Sequence, residues 1–205
     1  MNRSIIYIDG FNLYYGALKG SSEKWLDLEK LFSLIRQDDI IQQVWYFTAR
    51  TGTPDQTTYL QALEAASQKL QIEYGLFKTK KVKCRVSGCS FGGLKEFQMP
   101  EEKGTDVNIA LRMLDDAYRG LCDRMVLVSG DSDLVPTIRL IKQRFPSIKI
   151  TVYVPARDKM RGAARELRSA ADKNATLPLD KLSKAQLPNS VVGGLGTLIL
   201  KPTTW

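Results

Sequence analysis

The feature that most restricts the fold is a rhythm of five short apolar runs, at residues 4–8, 43–48, 71–76, 125–129 and 149–154. They are rich in β-branched and aromatic side chains, which mark strands. Stretches 26–36, 55–70, 105–119, 133–144 and 161–171 lie between or after them and repeat their apolar residues at helical spacing. Strands that are apolar along their whole length are buried on both faces, and helices between them supply the cover. The pattern predicts an α/β fold: a three-layer α/β/α sandwich around a mostly parallel sheet of about five strands, wound with right-handed crossovers. Residues 1–173 form that domain. Two stretches depart from the rhythm. Residues 77–103, rich in Lys, Gly and Ser, read as a basic insertion or hairpin, and residues 174–205, punctuated by Pro178, Pro188 and Pro202, read as an extended tail packed on the domain or on a partner.

The chemistry open to the chain is narrowed by what it lacks. It has no histidine, which excludes Ser-His-Asp and Cys-His catalysis and His-ligated zinc, and leaves hydrolysis to carboxylates and metal. Cys84, Cys89 and Cys122 make an odd number, against a disulfide framework and for reduced thiols, and Cys84 and Cys89 lack a full set of zinc partners. The first apolar run meets an acid after five residues, so neither a signal peptide nor a membrane span is expected, and the setting is cytoplasmic. The formal charge of +8 favours a polyanionic partner.

Ligands of parallel sheets sit beyond the carboxyl ends of the strands. The first run delivers Asp9 to such an end, followed by Gly10 and, three residues on, Asn12. The fourth run ends in Ser129-Gly130-Asp131-Ser132-Asp133, where two close carboxylates repel unless a cation or donors compensate. Asp133 is the expected N-cap of the next helix, which leaves Asp131 as the ligand. Asp106 opens the helix 105–119, whose core stripe is read as Val107, Ala110, Leu111, Leu114 and Ala117, with Asp115 and Asp116 solvated. If the three segments converge, their hard oxygen donors suit Mg²⁺ or Mn²⁺, and phosphodiester hydrolysis follows.

These motifs together, Tyr7-Ile8-Asp9-Gly10-Phe11-Asn12, Lys103-Gly104-Thr105-Asp106-Val107 and Ser129-Gly130-Asp131-Ser132-Asp133-Leu134, resemble the NYN domain, a branch of the PIN-like nucleases. The resemblance spans residues 4–172. It implies a PIN-like sheet and a metal-dependent ribonuclease in which Asp9, Asp106 and Asp131 hold the metal, Asn12 orients them, Asp133 is an outer acid and Ser129 the hydroxyl before the Gly-Asp pair. One departure stands out: six residues after Asp106, where many relatives carry another acid, this chain has Arg112, a side chain that cannot bind metal but can pair with a ligand acid or contact phosphate.

Two basic groups are candidates for an RNA track. Lys78, Lys80, Lys81, Lys83 and Arg85 form a basic cluster in the insertion, with Phe77 and Phe91 near them for stacking, and Lys103 at its end is a further RNA contact. Arg157, Lys159, Arg161, Arg165 and Arg168 follow the fifth run. An RNA-binding adaptor that has kept the fold without turnover is the alternative function, and the apolar tail has two uses open to it, covering its own domain or bridging a homodimer. An aspartyl phosphatase is disfavoured because Phe11 stands where a second Asp is needed, and no Gly-x-Gly-x-x-Gly follows the first run, which disfavours a dinucleotide enzyme.

Overall fold

A computed structural model describes residues 1–93, 96–157 and 164–205. Its frame is a six-stranded sheet in which β1 (Asn2–Asp9), β2 (Asp39–Thr48) and β3 (Leu70–Tyr74) run outward on one side, and β6 (Arg124–Val128), β7 (Lys149–Val154) and β8 (Lys173–Thr176) on the other. Every pairing is parallel, and β1 lies beside β6, so the strand order reverses between them. The sheet has one strand more than the apolar rhythm predicts. The extra strand, Lys-Asn-Ala-Thr, is exposed at all four positions and hangs on β7 by backbone bonds alone, so its side chains carry no apolar signal; a lysine and short length suit a sheet edge.

Alternate residues of each strand feed two cores. Ile6, Ile8, Val44, Val126 and Val128 face α1 (Gly10–Leu13), α2 (Leu28–Ile35), α3 (Pro54–Ala66) and the tail. Ile5, Tyr7, Met125, Leu127 and Val152 face α4 (Thr105–Tyr118), α5 (Val135–Arg144) and α6 (Arg165–Ala170). This is the sandwich expected of strands buried on both faces.

The stripe predicted for α4 is corrected. Ile109, Met113, Asp116 and Ala117 are buried, whereas Val107 and Leu111 stand in solvent. The buried stripe is offset from the predicted one because it includes an acid: Asp116 accepts a hydrogen bond from the Tyr7 hydroxyl at 2.9 Å, with both side chains enclosed, so it is not a solvated surface residue. Asp115 is exposed and pairs with Arg119.

Residues 76–83 and 96–103 form the arms of an antiparallel hairpin, β4 (Leu76–Lys83) and β5 (Glu96–Lys103), paired from Leu76 opposite Lys103 to Lys83 opposite Glu96. It leaves the sheet at the end of β3 and returns at the start of α4. Beyond β8 the chain folds back over α2 and α3, with a small hairpin of β9 (Ser190–Val192) and β10 (Leu198–Leu200) against α3. Leu177, Leu182, Ala185 and Leu187 are buried in the first core, and the Trp205 ring lies 5.2 Å from that of Tyr59.

Candidate acidic site at the strand-order reversal

The reversal between β1 and β6 opens a crevice at the carboxyl edge of the sheet, the place where such folds bind ligands. β1 ends at Asp9, whose burial (3% exposed) would be costly without donors. Three are supplied. The Asn12 backbone N–H donates to Asp9 Oδ1 at 2.9 Å, the Asn12 side-chain amide to Oδ2 at 2.6 Å, and the Ser129 hydroxyl to Oδ2 at 3.0 Å. Asp9 is therefore both the N-cap of α1 and a member of the site. Its neighbour Gly10 has no room for a side chain, since a Cβ would lie 2.7 Å from the Phe47 carbonyl oxygen and 2.8 Å from the Tyr46 ring.

The turn after β6 is bonded to the same group. Gly130 N–H donates to Asn12 Oδ1 at 3.1 Å, and Asp131 N–H to Ser129 Oγ at 3.1 Å. A Cβ on Gly130 would stand 3.2 Å from Asn12 Oδ1, a tight approach that would press on the Asn12 amide by a few tenths of an ångström. The predicted cap of the following helix is corrected here: Asp133 lies exposed inside a short 3₁₀ turn, Ser132–Leu134, which Asp131 caps with its Oδ1 accepting from the Asp133 N–H at 2.9 Å, and α5 itself starts after Leu134 with no side-chain cap. The 3₁₀ turn separates the acids from α5, and Pro136 fits the first turn of that helix.

Asp106 sits in the first turn of α4, after Gly104 in the left-handed conformation (φ 93°). Burial pushes its carboxyl up to about 6, and the charges of Asp131, Asp9, Glu102 and Asp133 add to the rise. Burial likewise raises Asp9, where the Asn12 and Ser129 donors oppose it and the Asp131 charge adds to it. The acids of the three sequence segments thus share one field. Glu102 belongs with them although its neighbours in sequence did not single it out: its carboxylate accepts from both the N–H and the hydroxyl of Thr105, capping α4, and its charge reaches Asp106.

The basic candidates divide. Lys80 and Lys103 both pair with Glu101, at 3.6 and 3.0 Å, and Lys83 with Glu96 at 3.0 Å, while Lys81 stands exposed on the same hairpin. Phe77 packs edge-on against Phe11 at 5.6 Å, so the root of the hairpin touches the residue two after Asp9. Phe91 is exposed. Arg112 is held away from the site acids: it stacks 4.0 Å over Trp45 on β2 and pairs with Glu73 on β3 at 3.2 Å. Arg157 donates to the Ala17 carbonyl and pairs with Glu23, fastening β7 to the turn after α1. Lys159 and Arg161 lie outside the described residues. Arg165 opens α6, and Arg168 bonds Asn174 and Thr176 on β8.

The NYN domain model matches residues 3–178, nearly the whole chain and through β8. The chain belongs to the NYN domain family. NYN domains are PIN-like, are typically nucleases and generally use divalent metals, which implies nucleic-acid binding. A relative in Pseudomonas putida (strain DSM 28022 / S16), named 6-hydroxy-3-succinoylpyridine 3-monooxygenase HspA, is 30% identical over an alignment covering 99% of this chain and 75% of that protein. A crystal structure of VPA0982, a protein of unknown function from Vibrio parahaemolyticus RIMD 2210633, superposes with a TM-score of 0.59 at 22% identity, covering 87% of this chain and 94% of that one, and agrees with this NYN fold.

The donor set of this NYN chain fits a hard divalent cation. The residues are carboxylates only, and the first influences on Asp106 all oppose its ionisation, a deficit that a cation would remove. Among the described residues no three acids are closed around a single point. An ion held here would therefore keep water among its ligands, as Mg²⁺ does. No helix among the described residues is long and apolar enough to cross a membrane.

Proposed function

We propose that the chain is a metal-dependent endoribonuclease that hydrolyses phosphodiester bonds of RNA in the cytoplasm. The observation that carries this reading is the placement of Asp9 and Asp131 at the tips of adjacent strands at the strand-order reversal, with Asp106 in the same field. Asp9, Asp106 and Asp131 would hold Mg²⁺ or Mn²⁺, which when bound polarises a phosphoryl oxygen and lowers the pKa of an attacking water. Asn12 and Ser129 fix the Asp9 carboxylate with three hydrogen bonds, so its oxygens are oriented before substrate arrives. Asp131 is braced by its N–H bond to the Ser129 hydroxyl and by the Asp133 N–H on its Oδ1, and its second carboxylate oxygen would serve as the ligand. Asp133, exposed and one short turn away, would serve as an outer acid of that site. The hairpin lysines Lys80, Lys81, Lys83 and Lys103 give the strand a path of phosphate contacts leading to α4. The test is cleavage of a labelled single-stranded RNA with Mn²⁺: Asp131→Asn should lose at least about a hundredfold in rate, the scale of removing one group that stabilises transition-state charge.

A second reading is favoured by one observation, the activity in the name of the P. putida relative, which matches this chain over nearly its full length. It makes the chain an oxygenase of a small heteroaromatic acid. It predicts consumption of O₂ and of a two-electron reductant in the presence of a hydroxypyridine, where the hydrolase reading predicts none.

A further inference from the structure

Immediately beside the acidic site lies a cavity of about 420 Å³, within the range of small-molecule sites. Its walls are aromatic to an unusual degree. Phe11, Tyr14 and Tyr15 come from α1 and the π-helical turn that continues it, and Tyr46, Tyr59 and Trp205 from β2, α3 and the tail. A π-helical turn is uncommon and often found where a site is built. Here it carries the chain from Asp9 around the mouth of the cavity.

The walls are fixed. Tyr59 donates its hydroxyl to the Leu26 carbonyl at 2.8 Å, and Tyr46 crosses over Gly10, which has no Cβ to obstruct it. Trp205 packs tilted against Tyr59 and edge-on against Trp25, and its neighbour Thr204 is tied to Asp55 by its hydroxyl and to Lys24 by its carbonyl. On the polar side Gln56 takes bonds from the N–H and hydroxyl of Thr51 and gives one to the Ala49 carbonyl, which holds the loop that completes the wall. Gly10 and Phe11 line this cavity and directly follow Asp9, and the Tyr46 hydroxyl in its wall feels the Asp9 charge, so the cavity borders the segment that carries the first acid.

We propose that this cavity binds one planar heteroaromatic ring, of nucleobase size, and presents the group attached to it to Asp9 and its partners. Flat π-faces receive a ring by stacking regardless of its identity, as single-stranded nucleic-acid sites do. The ring has two possible sources, a base of the RNA strand or a free heteroaromatic molecule. The first rests on the ribonuclease reading; the cavity itself is tested without turnover, so the two fail separately.

The test uses the full chain carrying Asp131→Asn. A labelled uridine hexamer is titrated by fluorescence anisotropy against hexamers with a single abasic residue at each position, and tryptophan emission is followed because Trp205 lines the cavity. In parallel, 6-hydroxypyridine-3-carboxylate is titrated alone, with cyclohexanecarboxylate as the saturated control. The expected result is one position where loss of the base weakens binding roughly tenfold or more, the scale of one base–aromatic stack, and where Trp205→Ala removes that sensitivity. If Trp205→Ala unfolds, Phe11→Ala makes the same comparison. A flat abasic series with quenching by the pyridine and not by the saturated acid assigns the site to a free ring and supports the proposal in that form. A flat series with no quenching, or equal quenching by both acids, overturns it. Cleavage by the unsubstituted chain is read separately.

Discussion

Asp106→Asn should stabilise the metal-free protein at neutral pH. In the folded chain burial and four neighbouring acids lift this carboxyl from its ordinary 3.8 to about 6. A raised acid means that the folded state holds its proton more tightly than the unfolded chain, so stability declines as pH rises from about 4 and the whole penalty is present above about 6. A shift of that size corresponds to roughly 3 kcal/mol at most. Asp106 is only half-buried, so solvent screening reduces the cost to about 1 kcal/mol. The amide is isosteric and uncharged, so in EDTA at pH 7.5 Asp106→Asn should melt about 2–4 °C higher than the unsubstituted chain. The gap should close by pH 4, where both forms are neutral. Thermal unfolding followed by circular dichroism from pH 4 to 8 measures it. With excess Mn²⁺ the order should shrink or reverse, because only the carboxylate gains a cation. An Asp106→Asn variant that melts at or below the unsubstituted protein in EDTA at pH 7.5 would refute the argument that these acids repel one another across a shared crevice.

Two further outcomes concern the frame that holds the site. Asp39→Asn should cost about 3 kcal/mol in denaturant unfolding, because Arg36 and Arg124, both largely buried, lose their shared anion; burial works against the Asp39 charge, but donors from Arg36, Ser4 and Arg124 prevail and draw it down to about 2, so its stabilisation is complete above pH 4 and lost as pH falls through 2. Tyr7→Phe should cost about 1–3 kcal/mol by leaving the Asp116 carboxylate buried without its donor, while metal-dependent cleavage stays unchanged, as equilibrium unfolding and a cleavage assay would show together.

Much of this was legible in the chain because the signals were strong where the physics left little choice. Strands buried on both faces must be apolar throughout, so β1, β2, β6 and β7 announced themselves, and the acids at the tips of β1 and β6 followed from topology. β8 was not legible, because an edge strand held to β7 by backbone bonds needs no apolar side chain at Lys173, Asn174 or Thr176. The face of α4 was misread for a different reason: a buried Asp116 satisfied by Tyr7 from a distant strand has no local signature, and Val107 and Leu111 look like core while facing solvent. Arg112 resembled a substitute for a site acid by its spacing, but the partners that decide its role, Trp45 and Glu73, lie on β2 and β3. The aromatic cavity was hidden for the same reason, since its walls come from segments as far apart in sequence as Phe11 and Trp205.

The central claim rests on the acids of β1, α4 and β6 acting as one catalytic group, and the most direct measurement is the rate of cleavage of a labelled single-stranded RNA by the purified chain in Mn²⁺ or Mg²⁺, beside EDTA and beside Asp131→Asn. Cleavage that disappears with EDTA and falls at least about a hundredfold in Asp131→Asn is the predicted result. RNA that is bound yet intact in every metal, or cut equally well by Asp131→Asn, would contradict it.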